Sequence, residues 1–196
     1  MRHSSSRVLI IGNAPIEKEL AEQVDSFARV VRFNHCAGLP KHLGTKCTDL
    51  WLTGRGKQAQ RLANQAAVIA PCLLEHVMIT DPVPNRFSQG FYKAIRRQGN
   101  LDYGATLLVK YAQAQSKSRI SRCSRENLLI YLLGLGKPEH TPRWPSSGAL
   151  AINHFVSMGY HVHIVGFGFQ GWKRHPWELE KLYVEQLSLQ GHLSYL

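Results

Sequence analysis

Val8-Leu9-Ile10-Ile11-Gly12-Asn13-Ala14-Pro15 decides the fold class. A short, unbroken apolar run closed by glycine is the pattern of a strand buried on both faces, as in a parallel sheet. Behind it, Ile16, Leu20 and Val24 recur at four-residue spacing with Glu17, Glu19 and Glu22 between them, which predicts an amphipathic helix over residues 16–24. The unit then repeats. Residues 28–33 read as a second strand ending at Asn34, 49–53 as a third, 57–64 as a helix and 66–70 as a fourth strand. Strands alternating with helices imply right-handed β-α-β crossovers, hence an α/β fold with a mostly parallel sheet and helices on both faces.

Farther along, Asp81-Pro82-Val83-Pro84-Asn85 is a breaker cluster, followed by helical patterns at 87–97 and 103–114. Residues 117–125 carry the densest positive charge and read as a solvated basic loop, with a dedicated anion site as the alternative. Between residues 91 and 143 stand ten Lys or Arg and three Asp or Glu, so +7 of the formal +11 lies there. Leu128-Leu129-Ile130-Tyr131-Leu132-Leu133 reads as a fully buried strand, 134–145 as a turn-rich loop and 147–158 as a helix. Residues 160–165 form the last predicted strand, running into Gly166-Phe167-Gly168. A final helix over 176–189 stops at Gly191.

The 196 residues suit one domain, and 44% hydrophobic with 19% charged residues is ordinary globular usage. No apolar run approaches the roughly 18 residues of a membrane span, and 8–11 is too short for a signal-peptide core, so the chain reads as soluble and cytoplasmic. Cys36, Cys47, Cys72 and Cys123 form no C-x-x-C pair, which argues against structural zinc and for reduced thiols. The charge of +11 calls for an anionic partner: nucleotide, phosphorylated sugar, nucleic acid or acidic lipid.

Gly12-Asn13 sits where a Rossmann-like fold places its phosphate or nucleotide turn, yet the G-x-G-x-x-G fingerprint is missing and the second strand ends in Asn34 instead of an acid. NAD is thereby disfavoured. Asn13 and Asn34 end neighbouring parallel strands, where neutral amides can read a base, ribose or phosphate; both also suit turns in the left-handed region. Ser146 or Ser147 is a natural cap for the following helix, and Gly148 lets a ligand approach the backbone, although capping needs no ligand. In His175-Pro176-Trp177-Glu178-Leu179-Glu180, proline at the first helical position places His175 at the N-cap. The helix dipole there favours neutral imidazole, the state of a general base; a structural histidine is the alternative. His161 and His163 share one strand face and lack a third ligand, so they read as packing or surface residues.

Taken in order, these segments resemble the sialyltransferases of glycosyltransferase family 29. V-L-I-I-G-N, V-V-R-F-N and G-T-K-C-T-D, spanning 8–53, are similar to the large sialylmotif; 145–168, from P-S-S-G to H-I-V-G-F-G, to the small one; and His175 with Glu180, within 175–180, to the very small H-x4-E motif. The resemblance implies a GT-A-like variant of the Rossmann-like fold in a short, bacterial-type member. It implies a metal-independent, inverting transfer, without a cofactor, from a CMP-sugar, usually CMP-sialic acid, to a glycan hydroxyl. On that basis Asn13 and Asn34 hold the cytidine monophosphate, Ser146, Ser147 and Gly148 the donor's nucleotide or phosphate region, and His175 takes the acceptor's proton. The paired cysteines of the animal motifs are absent, with Val8 at the first position. The 168–175 interval leaves no room for the family's separate histidine motif, and Lys173 or Arg174 are the candidates to replace it. A related acid sugar such as Kdo fits the same cytidine site. The acceptor is expected to be a glycan or a lipid-linked glycan, with peripheral contact to an anionic membrane read from charge. Two alternatives belong to other classes: a basic nucleic-acid-binding α/β protein, disfavoured because the charged segment lacks interleaved aromatics, and an inactive nucleotide-sugar binder.

Overall fold

A computed structural model of the protein describes residues 6–95 and 100–196. Among them run β1 (Arg7–Ile11), α1 (Ala21–Ser26), β2 (Arg29–Phe33), β3 (Asp49–Leu52), α2 (Gly56–Asn64), β4 (His76–Ile79), α3 (Arg86–Ala94), α4 (Gly104–Lys110), β5 (Ser116–Arg119), α5 (Arg122–Gly134), α6 (Ser147–Ser157), β6 (His161–Val165), α7 (Trp177–Leu189) and β7 (Leu193–Tyr195). The seven strands form one sheet in the order β5-β4-β3-β2-β1-β6-β7, and every pairing is parallel. The fold is thus α/β and Rossmann-like, as the alternation of patterns predicts.

The uninterrupted apolar run of β1 follows from its central place. Val8 and Ile10 pack on the face covered by α5, α6 and α7, through Leu132, Phe155 and Val184 among others. Leu9 and Ile11 pack on the opposite face, with Val24 of α1. Farther along that second face, Leu62 of α2 and Leu107 of α4 cover Leu50 and Val77. Each fully buried aliphatic side chain contributes about 1.5–3 kcal/mol, so an alternating polar pattern on β1 would forfeit one face.

Several predicted elements differ from the observed ones. Residues 128–133 are not a strand but the middle of α5. Ser121 caps that helix by accepting from the Ser124 amide at 2.9 Å, and the leucine-rich run, with a single β-branched residue, favours helix. Only its i, i+4 pair Leu128 and Leu132 is buried, while Ile130 and Tyr131 face outward. The fourth strand is not 66–70 but β4; three alanines weaken the earlier segment as a strand and Pro71 opens a short 3₁₀ turn after it. The first helix begins only at Ala21, because the Leu20 amide donates to the His42 carbonyl and His42 Nε2 bonds the Ile16 carbonyl. The basic segment 117–125 is not a loop: it is divided between β5 and the first turn of α5. The helix expected over 87–97 is α3; positions 96 and 97 lie outside the described residues. β7 was not anticipated.

Arg32 and Asp49 belong to the scaffold. Arg32 is 1% exposed and donates to the carbonyls of Leu43, Gly44 and Lys46, holding the loop between β2 and β3. Asp49, fully buried, takes a bidentate pair from Arg29 and a bond from Thr48 Oγ1 at the amino edge of the sheet.

Candidate functional site

The chain builds the sheet outward from β1 through β5, then returns to place β6 and β7 on the other side of β1. The reversal leaves a crevice at the carboxyl ends of the strands, the place where ligands of open α/β sheets bind. Here it is a cleft of about 750 Å³ that takes in Gly12 and Asn13 after β1, Asn34 after β2, Ser146, Ser147 and Gly148 at the start of α6, and His175 and Glu180 at the start of α7.

Gly12 is required by close approach. Its amide donates to the Val165 carbonyl at 2.8 Å and the Ala14 amide to Gly166 at 3.0 Å, so the turns after β1 and β6 are laced together. A Cβ on Gly12 would collide with the Gly166 carbonyl oxygen. This lacing leaves Asn13 exposed at the cleft.

Asn34 combines both readings of its type. Its φ of 55° is left-handed, as the turn reading has it, and its Oδ1 accepts from the Thr53 amide at 2.9 Å. With the oxygen so engaged, the carboxamide NH₂ is left as the group for a ligand.

At α6, Ser146 Oγ accepts from the Ala149 amide at 3.1 Å, and the Leu150 amide reaches the Ser146 carbonyl. The amides of Ser147 and Gly148 have no protein partner among the described residues, so the helix offers two donors and its positive end to the cleft. A Cβ at Gly148 would lie 2.6 Å from Phe167 Cε1. Ser146 is held from α7: Glu180 accepts from its amide at 2.7 Å and from its hydroxyl at 2.6 Å. Glu180 is 2% exposed, and burial pushes its carboxyl up to about 7 from the usual 4.5, against those two bonds.

His175 is not the N-cap; Pro176 takes that position, and no side chain caps α7. The imidazole turns to the loop instead, with Nδ1 at 2.7 Å from the Trp144 carbonyl. A carbonyl only accepts, so Nδ1 carries the proton and Nε2 keeps its lone pair. The ring stands edge-on between Trp172 and Trp177, with centroids 4.9 and 5.0 Å away. Burial is the chief reason its pKa is lowered; the Trp144 bond pulls the other way. The neutral form expected from the helix dipole is therefore favoured mainly by desolvation.

Lys173 and Arg174 do not line the cleft; both side chains are exposed, and the Arg174 carbonyl accepts from the Arg143 amide at 2.8 Å. Arg55, Asp81, Arg125, Arg143 and Trp144 do line it, and sequence reasoning missed them. Arg125 stood in the basic segment, where a charge run conceals a buried member; Asp81 stood in the breaker cluster. The histidines His161 and His163 pack on each other at 4.9 Å, with His161 on Ser194 and His163 against Phe27. Among the described residues no group of three or more His, Cys, Asp or Glu is placed to hold a metal ion. Nor is any described helix long and apolar enough to cross a membrane.

No protein-family profile matches the sequence. The urease operon 23 kDa accessory protein of Rhizobium meliloti (strain 1021) is 26% identical over 218 aligned positions, 96% of this chain and 92% of that protein. Among solved structures, the fold is similar to that of a mammalian sialyltransferase, determined alone and in complex with Gal-beta-1-3GalNAc-ortho-nitrophenol. Both match at a TM-score of 0.59 and 15% identity, covering 98% of this chain and 69% and 70% of those chains. At that identity the likeness is one of fold, and the fold is sialyltransferase-like.

Proposed function

We propose that this protein is a glycosyltransferase that moves sialic acid, or a related acid sugar, from a CMP-sugar to a hydroxyl of a glycan or lipid-linked glycan. The observation that carries the reading is the meeting, in one cleft, of two strand-end amides, an open helix N-terminus and a histidine whose Nδ1 is tied and whose Nε2 is free. Asn13 and Asn34 hold the cytidine monophosphate, and the Ser147 and Gly148 amides face its phosphate. His175 Nε2 takes the proton of the acceptor hydroxyl as that oxygen bonds the anomeric carbon. The bond from that carbon to the phosphate oxygen breaks, CMP leaves with the electron pair, and the configuration inverts; the imidazolium then gives its proton to water. No metal enters this scheme, so turnover should survive chelator treatment.

The test is CMP release from CMP-sialic acid over a panel of glycan acceptors. General-base catalysis is worth roughly 10²–10⁴-fold, so His175→Ala should lose at least about 100-fold in turnover while CMP binding stays nearly intact. Unchanged turnover would refute the assignment of the base, and CMP binding without turnover in the parent protein would identify an inactive nucleotide-sugar binder. The nucleic-acid reading has less support than the charge suggests: of the four cations in 117–125, Arg119 pairs with Asp102 and Arg125 with Asp81.

A second reading comes from the rhizobial relative, whose similarity runs the length of both chains and whose name is that of a urease operon accessory protein. Co-expression with urease subunits separates the two. Full urease enhancement by His175→Ala would assign an accessory role independent of the transfer chemistry.

A further inference from the structure

The cleft contains more positive charge than the scheme above uses. Arg55, Arg125 and Arg143 line it, against two carboxylates, Asp81 and Glu180, and Glu180 is engaged with Ser146 on the far side. Arg125 is the centre of the group. Its side chain is 8% exposed, Nη1 donates to Asp81 Oδ1 at 2.7 Å, and the guanidinium lies 4.5 Å from the Trp144 ring centroid. Asp81 is itself fixed, accepting from the Gly54 amide at 2.8 Å and Thr53 Oγ1 at 3.1 Å. Arg55 donates to the Pro82 carbonyl through Nη2. The Nε atoms of Arg55 and Arg125 are buried and make no hydrogen bond. Trp144 ties the group to the base, since its ring stacks on Arg125 while its carbonyl holds His175. Arg125 and Asp81 both act electrostatically on the His175 ring.

A buried charge is costly unless paired, and Asp81 pairs with the buried Arg125; half-buried Arg55 and exposed Arg143 bring two further guanidinium groups to the cleft, neither with a carboxylate partner among the described residues. Surplus positive charge in a cleft, with the Arg125 and Arg55 guanidinium groups held in place and donors unused, fits the recognition of a carboxylate or phosphate. We propose that Arg55, Arg125 and Arg143 form an anion subsite beside His175, which receives an acidic group of the substrate: the carboxylate of the transferred sugar or a phosphate. The proposal deepens the reading of the cleft as a nucleotide-sugar site and rests on it for the identity of the ligand. It moves the missing cationic role from Lys173 and Arg174 to Arg125 of α5, Arg143 in the loop that follows it and Arg55 at the start of α2.

The experiment is calorimetric titration of CMP and of CMP-N-acetylneuraminate into the parent protein, into Arg143→Gln, whose exposed side chain makes misfolding no concern, and into the double variant Asp81→Asn/Arg125→Gln. The double variant removes both charges of the buried pair and leaves no orphaned ion. Loss of a hydrogen bond to a charged partner costs roughly ten-fold or more in affinity. A drop of that size for CMP-N-acetylneuraminate with CMP unchanged supports the subsite and identifies a carboxylate; an equal drop for both supports it and identifies the phosphate. Unchanged affinity for both ligands in both variants would overturn it. If the parent protein binds neither nucleotide, the nucleotide-sugar reading has failed, and thermal unfolding with inorganic phosphate decides the subsite alone. Stabilisation that disappears in both variants then supports an anion site, and its absence in the parent protein overturns it.

Discussion

Glu180 offers a direct test of how the cleft is held together. Its carboxyl is raised from 4.5 to about 7, first by burial, and it is 2% exposed, so solvent screening is slight. A folded-state pKa above the unfolded one means that the native state binds more protons between the two values. The stabilisation is therefore complete below about pH 4.5 and is lost as pH rises toward 7. The separation corresponds to about 3 kcal/mol, most of which disappears between pH 5 and pH 8. The partly buried histidines work against it: His76, His154, His163 and His175 all have lowered pKa values, chiefly through desolvation, and contribute stability that grows as pH rises to their unfolded value. The informative quantity is thus the difference between the parent protein and Glu180→Gln, in which the histidine contribution cancels. Glutamine resembles the protonated acid, keeping an acceptor for the Ser146 amide. Denaturant titration at both pH values should give near-equal stability at pH 5 and a variant more stable than its parent by about 2–3 kcal/mol at pH 8. A parallel pH dependence in the two proteins would refute the claim that Glu180 is held against its solvation preference to position Ser146.

The other expectations concern separate parts of the same architecture. Gly12→Ala drives a methyl group into the Gly166 carbonyl and should destabilise by about 1–3 kcal/mol, read from the denaturant midpoint. Arg32→Met orphans carbonyls at Leu43, Gly44 and Lys46, for a loss of about 2–4 kcal/mol by the same measurement, with CMP affinity retained per folded molecule. Asn34→Ala should abolish stabilisation by CMP, which at about 100 times Kd is worth about 2.7 kcal/mol in the parent protein. Since burial lowers the pKa of His175, the acid limb of kcat/KM should lie below the ordinary histidine value of 6.5, and a limb at or above 6.5 would exclude His175 as the base.

What could be read from the sequence was what is local in it. Gly12, Asn13, Asn34, Ser146 to Gly148 and His175 stand at strand ends and helix starts, where glycine, amide and hydroxyl side chains signal a position within a few residues, and all of them line the one cleft. They gather at one edge of the sheet, although their order along the chain is not their order across it, because each right-handed crossover returns a strand end to the same edge and β1 lies between β2 and β6. The misreadings arose where a pattern has two solutions. The run from Leu128 to Leu133 fills a strand on periodicity alone, and only the Ser121 cap and the burial of Leu128 and Leu132 make it helical. The basic wall was illegible for a different reason. Arg125 meets Asp81 across 44 positions and Trp144 across 19, and nothing in a charge run tells a solvated arginine from a buried one until its carboxylate is known. Forming α5 as a helix decides this, because it places Arg125 on the inner face with Leu128 and Leu132 and carries the charge to the edge of the sheet where Asp81 follows β4. The error in secondary structure and the missed arginine site are therefore one event: a strand over 128–133 would have left Arg125 in a loop, and the helix brings it into the cleft beside His175.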